Sequence, residues 1–527
     1  MTKEKIILGI DLGTTYSSVA YVDETGYPKI LENDEGQRST PSVVYFEDSG
    51  NVIVGRVAKS SLALDPMKGV ELAKREIANL SSSREKRNWE IYGKKYTPED
   101  VSSFILKKLV KDACAKLGKE VNDVIITVPA YFDLTAREAV RTAGILAGLN
   151  VLALLNEPEA AAIAFTYGKV RKPETIFIYD LGGGTFDVTL LKYDGKKCEV
   201  LATDGDHALG GADFDRRLLE HLAKQAMEEG VDVYSNLEKL QELKENIEIT
   251  KIALSTAEKK KVRVDQKQYE VTREKYTELI QDKLAETEIT MNNLLQAAKE
   301  KGIEGWQNID RIILVGGSSR TPAVRSLVAR VTGKEPDITM NPDEAVALGA
   351  AIYGNIYKEI EEKLEEEQKQ GTVKPEEVEA KKIFYLEGKV SSVCSHSIGI
   401  VALTESGKRR NAILIKKNTK IPCESEHVFG TRAAHQETAC IRILLGESEN
   451  IDECREVGKV TLRLTQDLPK ESPIRVHLKY NFEGRLDVFS ESLANGDKIE
   501  STLDLRDQLT PEEIQIQREQ LEQIEVQ

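Results

Sequence analysis

No Cys-x-x-Cys pair occurs in this 527-residue chain; its six cysteines, at 114, 198, 394, 423, 440 and 454, stand far apart. That spacing speaks against a metal knuckle or a dense disulfide framework and fits reduced thiols in a cytosol. Basic charge is in deficit, with 73 Lys and Arg against 88 Asp and Glu, a net −15. Nucleic acid is therefore not expected as a main partner, because a phosphate backbone calls for a basic face. Long apolar runs are missing too: none approaches the ~18 residues needed to span a bilayer. The apolar stretch near the start is broken by Asp11 and is too short for the core of a signal peptide. A soluble, cytoplasmic protein with no membrane partner is expected. Finally, no Gly-Lys pair is followed by Ser or Thr, so a Walker-type phosphate loop is excluded.

What is present is ordinary in bulk, 40% apolar and 31% charged, and the length calls for more than one core. Up to position 357, β-branched runs alternate with helical patterns, the mark of α/β layers. Ile6–Leu8, Val124–Val128, Ile176–Tyr179 and Ile312–Val315 read as buried strands, and Thr97–Leu117, Thr135–Ala147 and Asp215–Glu229 as helices. Residues 358–390 are charged and read as a solvated helical extension with a linker, an acidic docking segment being the alternative. Residues 391–508 are all β in texture, with turn signals such as Asn495-Gly496-Asp497, which suits a small sandwich. In residues 509–527, Thr510 as N-cap, Pro511 and Glu513 predict a short helix.

An internal repeat carries more weight. Ile10-Asp11-Leu12-Gly13-Thr14-Thr15 recurs as Tyr179-Asp180-Leu181-Gly182-Gly183-Gly184-Thr185, each copy between two strands. Glycines let backbone N–H groups form an anion-binding nest, and the hydroxyls add donors. A carboxylate beside phosphate makes sense only with Mg²⁺ between them, held largely through water. A third glycine turn, Gly316-Gly317-Ser318-Ser319-Arg320, precedes a helix that starts near Pro322, whose N-terminus attracts anions. Two related lobes clamping a nucleotide phosphate chain is the reading these loops support.

The motifs then take on a family likeness. Gly9–Ser17, Thr127–Phe132, Asn156–Ala164, Asp180–Asp187, Leu209–Asp215, Gly316–Pro322 and Asn341–Ala347 resemble the Hsp70 (DnaK-like) chaperones of the actin/hexokinase/Hsp70 ATPase superfamily. The resemblance implies a two-lobed, duplicated, actin-like ATPase domain followed by a β-sandwich and a short C-terminal helix. It implies ATP or ADP with Mg²⁺, and K⁺ as a further ion. Asp11 and Asp180 would organise the metal, while Lys74, Glu157, Asp187 and Thr185 would be catalytic. Gly13, Thr14, Thr15, Tyr16, Gly182, Gly183 and Gly184 would line the phosphates. Gly210, Gly211, Glu248, Lys251, Ser255, Gly316, Gly317, Ser318, Arg320 and Asp343 would hold the rest of the nucleotide, with Ile252 packing on adenine. Pro129 and Arg137 match a relay to the second domain.

The β-domain resembles the family's peptide-binding sandwich more loosely. By position, Ile398, Ile400, Leu403, Phe429 and Ala439 would line a groove for an extended apolar segment. Arg432 departs from the family pattern where a residue arches over the peptide. The leucine-rich linker is replaced, the helix from Leu509 would be a vestigial lid, and Glu76–Thr97 is shorter than in relatives. The resemblance implies unfolded or extended polypeptides as partners, with a J-domain protein and a nucleotide-exchange factor, in a monomer. The function it implies is a molecular chaperone that couples ATP hydrolysis to peptide binding and release. A nucleotide-switched module for one dedicated partner is the alternative, and a small-molecule kinase would leave the β-domain unexplained.

Overall fold

A computed structural model describes residues 5–79, 88–168, 172–404, 406–464, 467–481, 484–502 and 509–527. Part of the Glu76–Thr97 stretch read as short lies outside the described residues. The first lobe opens with β1 (Leu8–Asp11), β2 (Tyr16–Val22) and β3 (Pro28–Leu31). Next come β4 (Val43–Phe46), β5 (Asn51–Val54), α1 (Arg56–Leu62), β6 (Gly69–Glu71) and α2 (Ala73–Asn79). The lobe closes with α3 (Pro98–Leu117), β7 (Asp123–Val128), α4 (Leu134–Leu146), β8 (Asn150–Asn156) and α5 (Glu157–Thr166). Its main sheet runs β8-β7-β1-β2-β3, with β1 parallel to β7 and antiparallel to β2.

The second lobe repeats the arrangement. It contains β9 (Glu174–Leu181), β10 (Phe186–Tyr193), β11 (Cys198–Asp206), α6 (Gly211–Glu228), α7 (Leu237–Leu254) and β12 (Arg311–Val315). Here β9 is parallel to β12 and antiparallel to β10, so β9 stands where β1 stands in the first lobe. Both central strands end at the repeated aspartate motif. Their apolar runs are continuous because both faces are buried. Alternate residues of β9 feed different cores: Phe177 and Tyr179 point to one cluster, Ile176 and Ile178 to another shared with the first lobe.

That shared core holds α5 and α8 (Ala345–Lys369). Gly349 lies so close to the Ala160 carbonyl that a β-carbon would collide with it. The same helix crosses Gly9, whose missing side chain lets the Ala351 backbone approach. For this reason β1 tolerates a glycine and extends to Asp11, three residues beyond the end of the expected Ile6–Leu8 run. Similarly α6 starts at Gly211 rather than Asp215, because the Asp213 carboxylate caps Gly210 N at 2.9 Å.

Helix α8 continues through position 357, and α9 (Val378–Glu387) folds back along it. Lys382–Glu361 at 3.5 Å and Lys363 over the Tyr385 ring at 3.9 Å hold the pair together. The chain then forms β13 (Val390–Ser391), which adds in parallel to the edge of β11.

The sandwich follows: β14 (Ile398–Leu403), β15 (Arg409–Ile415), β16 (Cys423–Gly430) and β17 (Thr438–Leu445). It is completed by β18 (Arg455–Arg463), β19 (Pro473–Tyr480), β20 (Leu486–Ser492) and β21 (Lys498–Thr502). Its sheets run β15-β14-β17-β18 and β16-β19-β20-β21, closing over one apolar cluster that Leu134 of the first lobe also joins.

The helix expected at Thr510 is α10 (Pro511–Glu522), with the Thr510/Glu513 capping box in place. The helix read as a vestigial lid lies away from the sandwich sheets. It packs on the first lobe against α4, and β22 (Glu525–Val526) pairs in parallel with β5. Leu521, Ile524 and Val526 are apolar and find their partners in that lobe's core.

Candidate functional site

A cavity of about 770 Å³ opens between the lobes, floored by the two repeated turns. In the first, Gly13 N donates to Ser17 Oγ at 3.1 Å and Gly13 O accepts from Ser42 Oγ at 2.8 Å. In the second, backbone bonds do the work. Gly182 N donates to Thr185 O at 3.1 Å, and Gly182 O and Gly183 O accept from Gly211 N and Ala212 N at 3.0 and 2.8 Å. The turns interlock, since a β-carbon on Gly183 would meet Thr15 and one on Gly184 would meet Thr14. Gly316, at φ 79°, presses on the Leu181 carbonyl, a conformation and an approach that only glycine allows.

Charge is concentrated above this floor. Lys74, 4% exposed, sits at the start of α2 with its Nζ 2.5 Å from Glu157 Oε1. Asp11 and Asp180 line the same cavity. Burial, then repulsion from Glu157, pushes the Asp11 carboxyl up to about 7. Asp180 is pushed well above the usual range by burial, then by Glu157 and Asp187. Asp187 is pushed up to about 8 by burial, then Glu157. One ammonium is too little positive charge for these carboxylates, and a divalent cation would restore their ionised forms. Among the described residues no three acidic, His or Cys side chains converge closely enough to chelate a metal directly. That donor set suits Mg²⁺ held through its waters. The glycine cradle, which side chains would fill, suits its phosphates.

The far wall is helical. On α7, Gln241, Lys244, Glu245, Glu248, Lys251 and Ile252, followed by its C-cap Ser255, line the cavity at i, i+3/i+4 spacing. Glu248 meets Lys59 Nζ at 2.6 Å and Tyr16 OH at 3.0 Å, joining the lobes across the cleft. Lys251 Nζ lies 2.5 Å from Asp215 and Arg320 Nη2 2.7 Å from Asp343. Gly317, Ser318 and Asp343 line the same side, and Ile252 presents an exposed apolar face there.

Thus Gly13, Thr14, Thr15, Tyr16, Gly182, Gly183 and Thr185 reach the cavity wall together with the two metal-site aspartates, Lys74 and Glu157. Gly184, Gly210 and Gly211 are absent from that wall; they pack the interlock between turn and α6. Asp187 also stands behind it, 2% exposed, accepting a bond from Tyr131 N at 2.9 Å. Sequence reasoning missed Lys59, Asp215, Lys244 and Glu245. The helical spacing on α7 could have found the last two. Lys59 carries no local signal, because its partner is far away in the chain.

A family model described as Hsp70 protein matches residues 7–527. The chain belongs to the Hsp70 family. Members of this family are chaperone-like ATP-binding proteins and ATPases that use ATP or ADP with Mg²⁺. They bind unfolded polypeptides, J-domain proteins and exchange factors. The fold matches: a two-lobed actin-like ATPase with a β-domain behind it. No described helix is long and apolar enough to cross a membrane.

The sandwich of this Hsp70-family chain sits against the ATPase lobes. Arg455 pairs with Asp133 and donates to Thr135 at 2.7 Å, while Lys417 Nζ meets Asp204 at 2.7 Å. His396 packs against Tyr131, with ring centroids 4.4 Å apart and the planes tilted by 43°. Arg137 lies at this junction, donating to Asn156, whose amide reaches Ser392 at 3.0 Å. Of the residues expected to line a peptide groove, Ile398 and Ile400 are buried in the sandwich core, with Phe429 and Ala439 packed against it. Leu403 and Arg432 are exposed.

Proposed function

We propose that this chain hydrolyses ATP in the cleft and uses the nucleotide state to hold or release an extended polypeptide on its sandwich. The observation that supports the coupling is one short path. Asp187 accepts from Tyr131 N, and the Tyr131 ring is in contact with the His396 ring of the sandwich. A change in the charge or position of Asp187 therefore reaches the domain interface through a single residue.

In this mechanism Asp11 and Asp180 would hold a hydrated Mg²⁺, whose chemistry there would be to supply positive charge against the phosphate oxygens. Backbone N–H groups of the two turns and the hydroxyls of Thr14, Thr15 and Thr185 bind the phosphates and exclude bulk water. The Lys74 ammonium, fixed by Glu157, stabilises negative charge developing on the transferred phosphoryl group. Glu157 also places the attacking water, and Asp187 orients it from behind the wall. Glu248, Lys251, Ser255 and Arg320 hold the adenosine, and Thr185 can accept phosphate as a side reaction. A J-domain protein and an exchange factor would act on hydrolysis and on release.

The second reading, a dedicated-partner module, draws on the buried Ile398 and Ile400 and on the exposed Arg432. Release of a labelled apolar peptide on adding Mg-ATP separates the two. ATP-triggered release is expected; if no such peptide binds in either nucleotide state, the general-chaperone reading is lost and the dedicated partner takes its place.

A further inference from the structure

The segment 510–527 makes contacts on the first lobe that the nucleotide reading does not use. Leu521, Ile524 and Val526 are buried in that lobe's apolar cluster. Strand β22 covers the otherwise free edge of β5: Val54 N donates to Gln527 O and Gln527 N to Val52 O, each at 2.9 Å. From α3, Lys111 Nζ donates to Val526 O at 2.8 Å and Lys107 Nζ to Ile524 O at 3.3 Å.

The sheet completed in this way, β22-β5-β4-β6, supplies the cleft. Strand β5 passes through Gly55 straight into α1, which bears Lys59 and its 2.6 Å pair with Glu248. Strand β4 begins beside Ser42, which bonds the first phosphate turn. Strand β6 leads within three residues to Lys74. Without β22 this sheet would be a small three-stranded one with an open edge, and such edges are weakly held.

The attachment is also of a kind that opens. Its strand is two residues long and α10 is largely exposed, with Leu521 its one buried residue. Elements so thinly buried detach at a fraction of the global unfolding cost. Moreover, only residues 503–509 lie between the last sandwich strand and Thr510, a reach of at most ~30 Å when extended.

We propose that the 510–527 segment is a strap: docked, it steadies the first lobe's half of the cleft gate and slows nucleotide release; pulled away by movement of the sandwich, it lets the gate open. This rests on the ATPase reading above. It gives the sandwich a second connection to the cleft, independent of β13 and Tyr131, and ending on Lys59.

The test is stopped-flow release of N-methylanthraniloyl-ADP from the full chain in Mg²⁺. Val526→Asp should speed release roughly five- to twentyfold, and Lys107→Ala with Lys111→Ala should do so in the same direction without opening the core, should the first variant fold poorly. Lys59→Ala should also speed release, and adding Val526→Asp to it should bring no further gain, since both act on one gate. A synthetic peptide of residues 509–527 should restore slow release to a chain shortened at 508. If the nucleotide binds but its release stays within twofold in the strap variants, or if the Lys59 and Val526 effects multiply, the strap proposal is overturned. If the unaltered chain binds no nucleotide, it is the ATPase reading that falls.

Discussion

In the cleft, Asp11, Asp180, Asp187 and Glu157 share the buried ammonium of Lys74. In the sandwich, Ile443, Leu478 and Val488 meet other apolar side chains and are wholly buried. The first region is left short of positive charge by its own residues; the second packs apolar side chains against one another. A site that lacks a counter-charge announces the kind of ligand it takes. An apolar core announces only that it folds, and the sandwich has to be read from its junction with the lobes instead.

The sharpest way to break this contrast is at Lys74. Lys74→Ala should leave nucleotide bound while lowering turnover by about 10²–10³, the usual scale for losing a charge-stabilising group in a water-poor site. Single-turnover hydrolysis measured beside nucleotide affinity checks it, and equal losses in both would make Lys74 a binding residue only. Next comes the opposite region. Ile443→Ala should destabilise the sandwich by about 2–5 kcal/mol. Nucleotide affinity should stay unchanged; a parallel fall in affinity would mean that the two regions fold as one. Third, Gly211→Val places a side chain against Ser318 and Lys251 and should weaken nucleotide binding by about tenfold through loss of the turn–helix interlock. Calorimetric titration with ADP would detect it.

The smallest effect concerns pH at the junction. Burial pushes His396 down to about 4, with Asp133 and Glu447 opposing it and Lys417 and Arg455 adding to it, while the Tyr131 ring covers one face. Docked, the imidazole stays neutral. Released into water, it takes up a proton below about 6.5. Separation therefore binds a proton, and docking should be fully strong above that pH and weaken as it falls toward 4, by about fourfold at pH 6. Energy transfer between dyes on lobe and sandwich would report it. His396→Leu should remove the dependence, and its persistence in that variant would assign it to another group.

Much of the first lobe pair was legible in the sequence. Strands ending in aspartate and glycine, repeated at Asp11 and Asp180, state both the local turn and its chemistry. The α7 face and the Thr510 cap were legible for the same reason, since spacing and capping are local. What could not be read was long-range. Lys59 finds Glu248, and β22 finds β5, through tertiary contacts without a sequence signature. Likewise nothing local separates Gly211, which packs behind the wall, from Gly182, which forms it. The docking place of the helix from Pro511 was unreadable on the same ground: an apolar face declares that a helix has a partner, not which one.

The crossing of α5 and α8 has one more consequence. With Gly349 pressed against the Ala160 carbonyl, even a methyl group at position 349 would force the two helices apart. One of them packs on β1, which ends at Asp11, and the other starts at Glu157, the partner of Lys74. The spacing of two small residues behind the sheet thus sets the separation of charged groups in front of it.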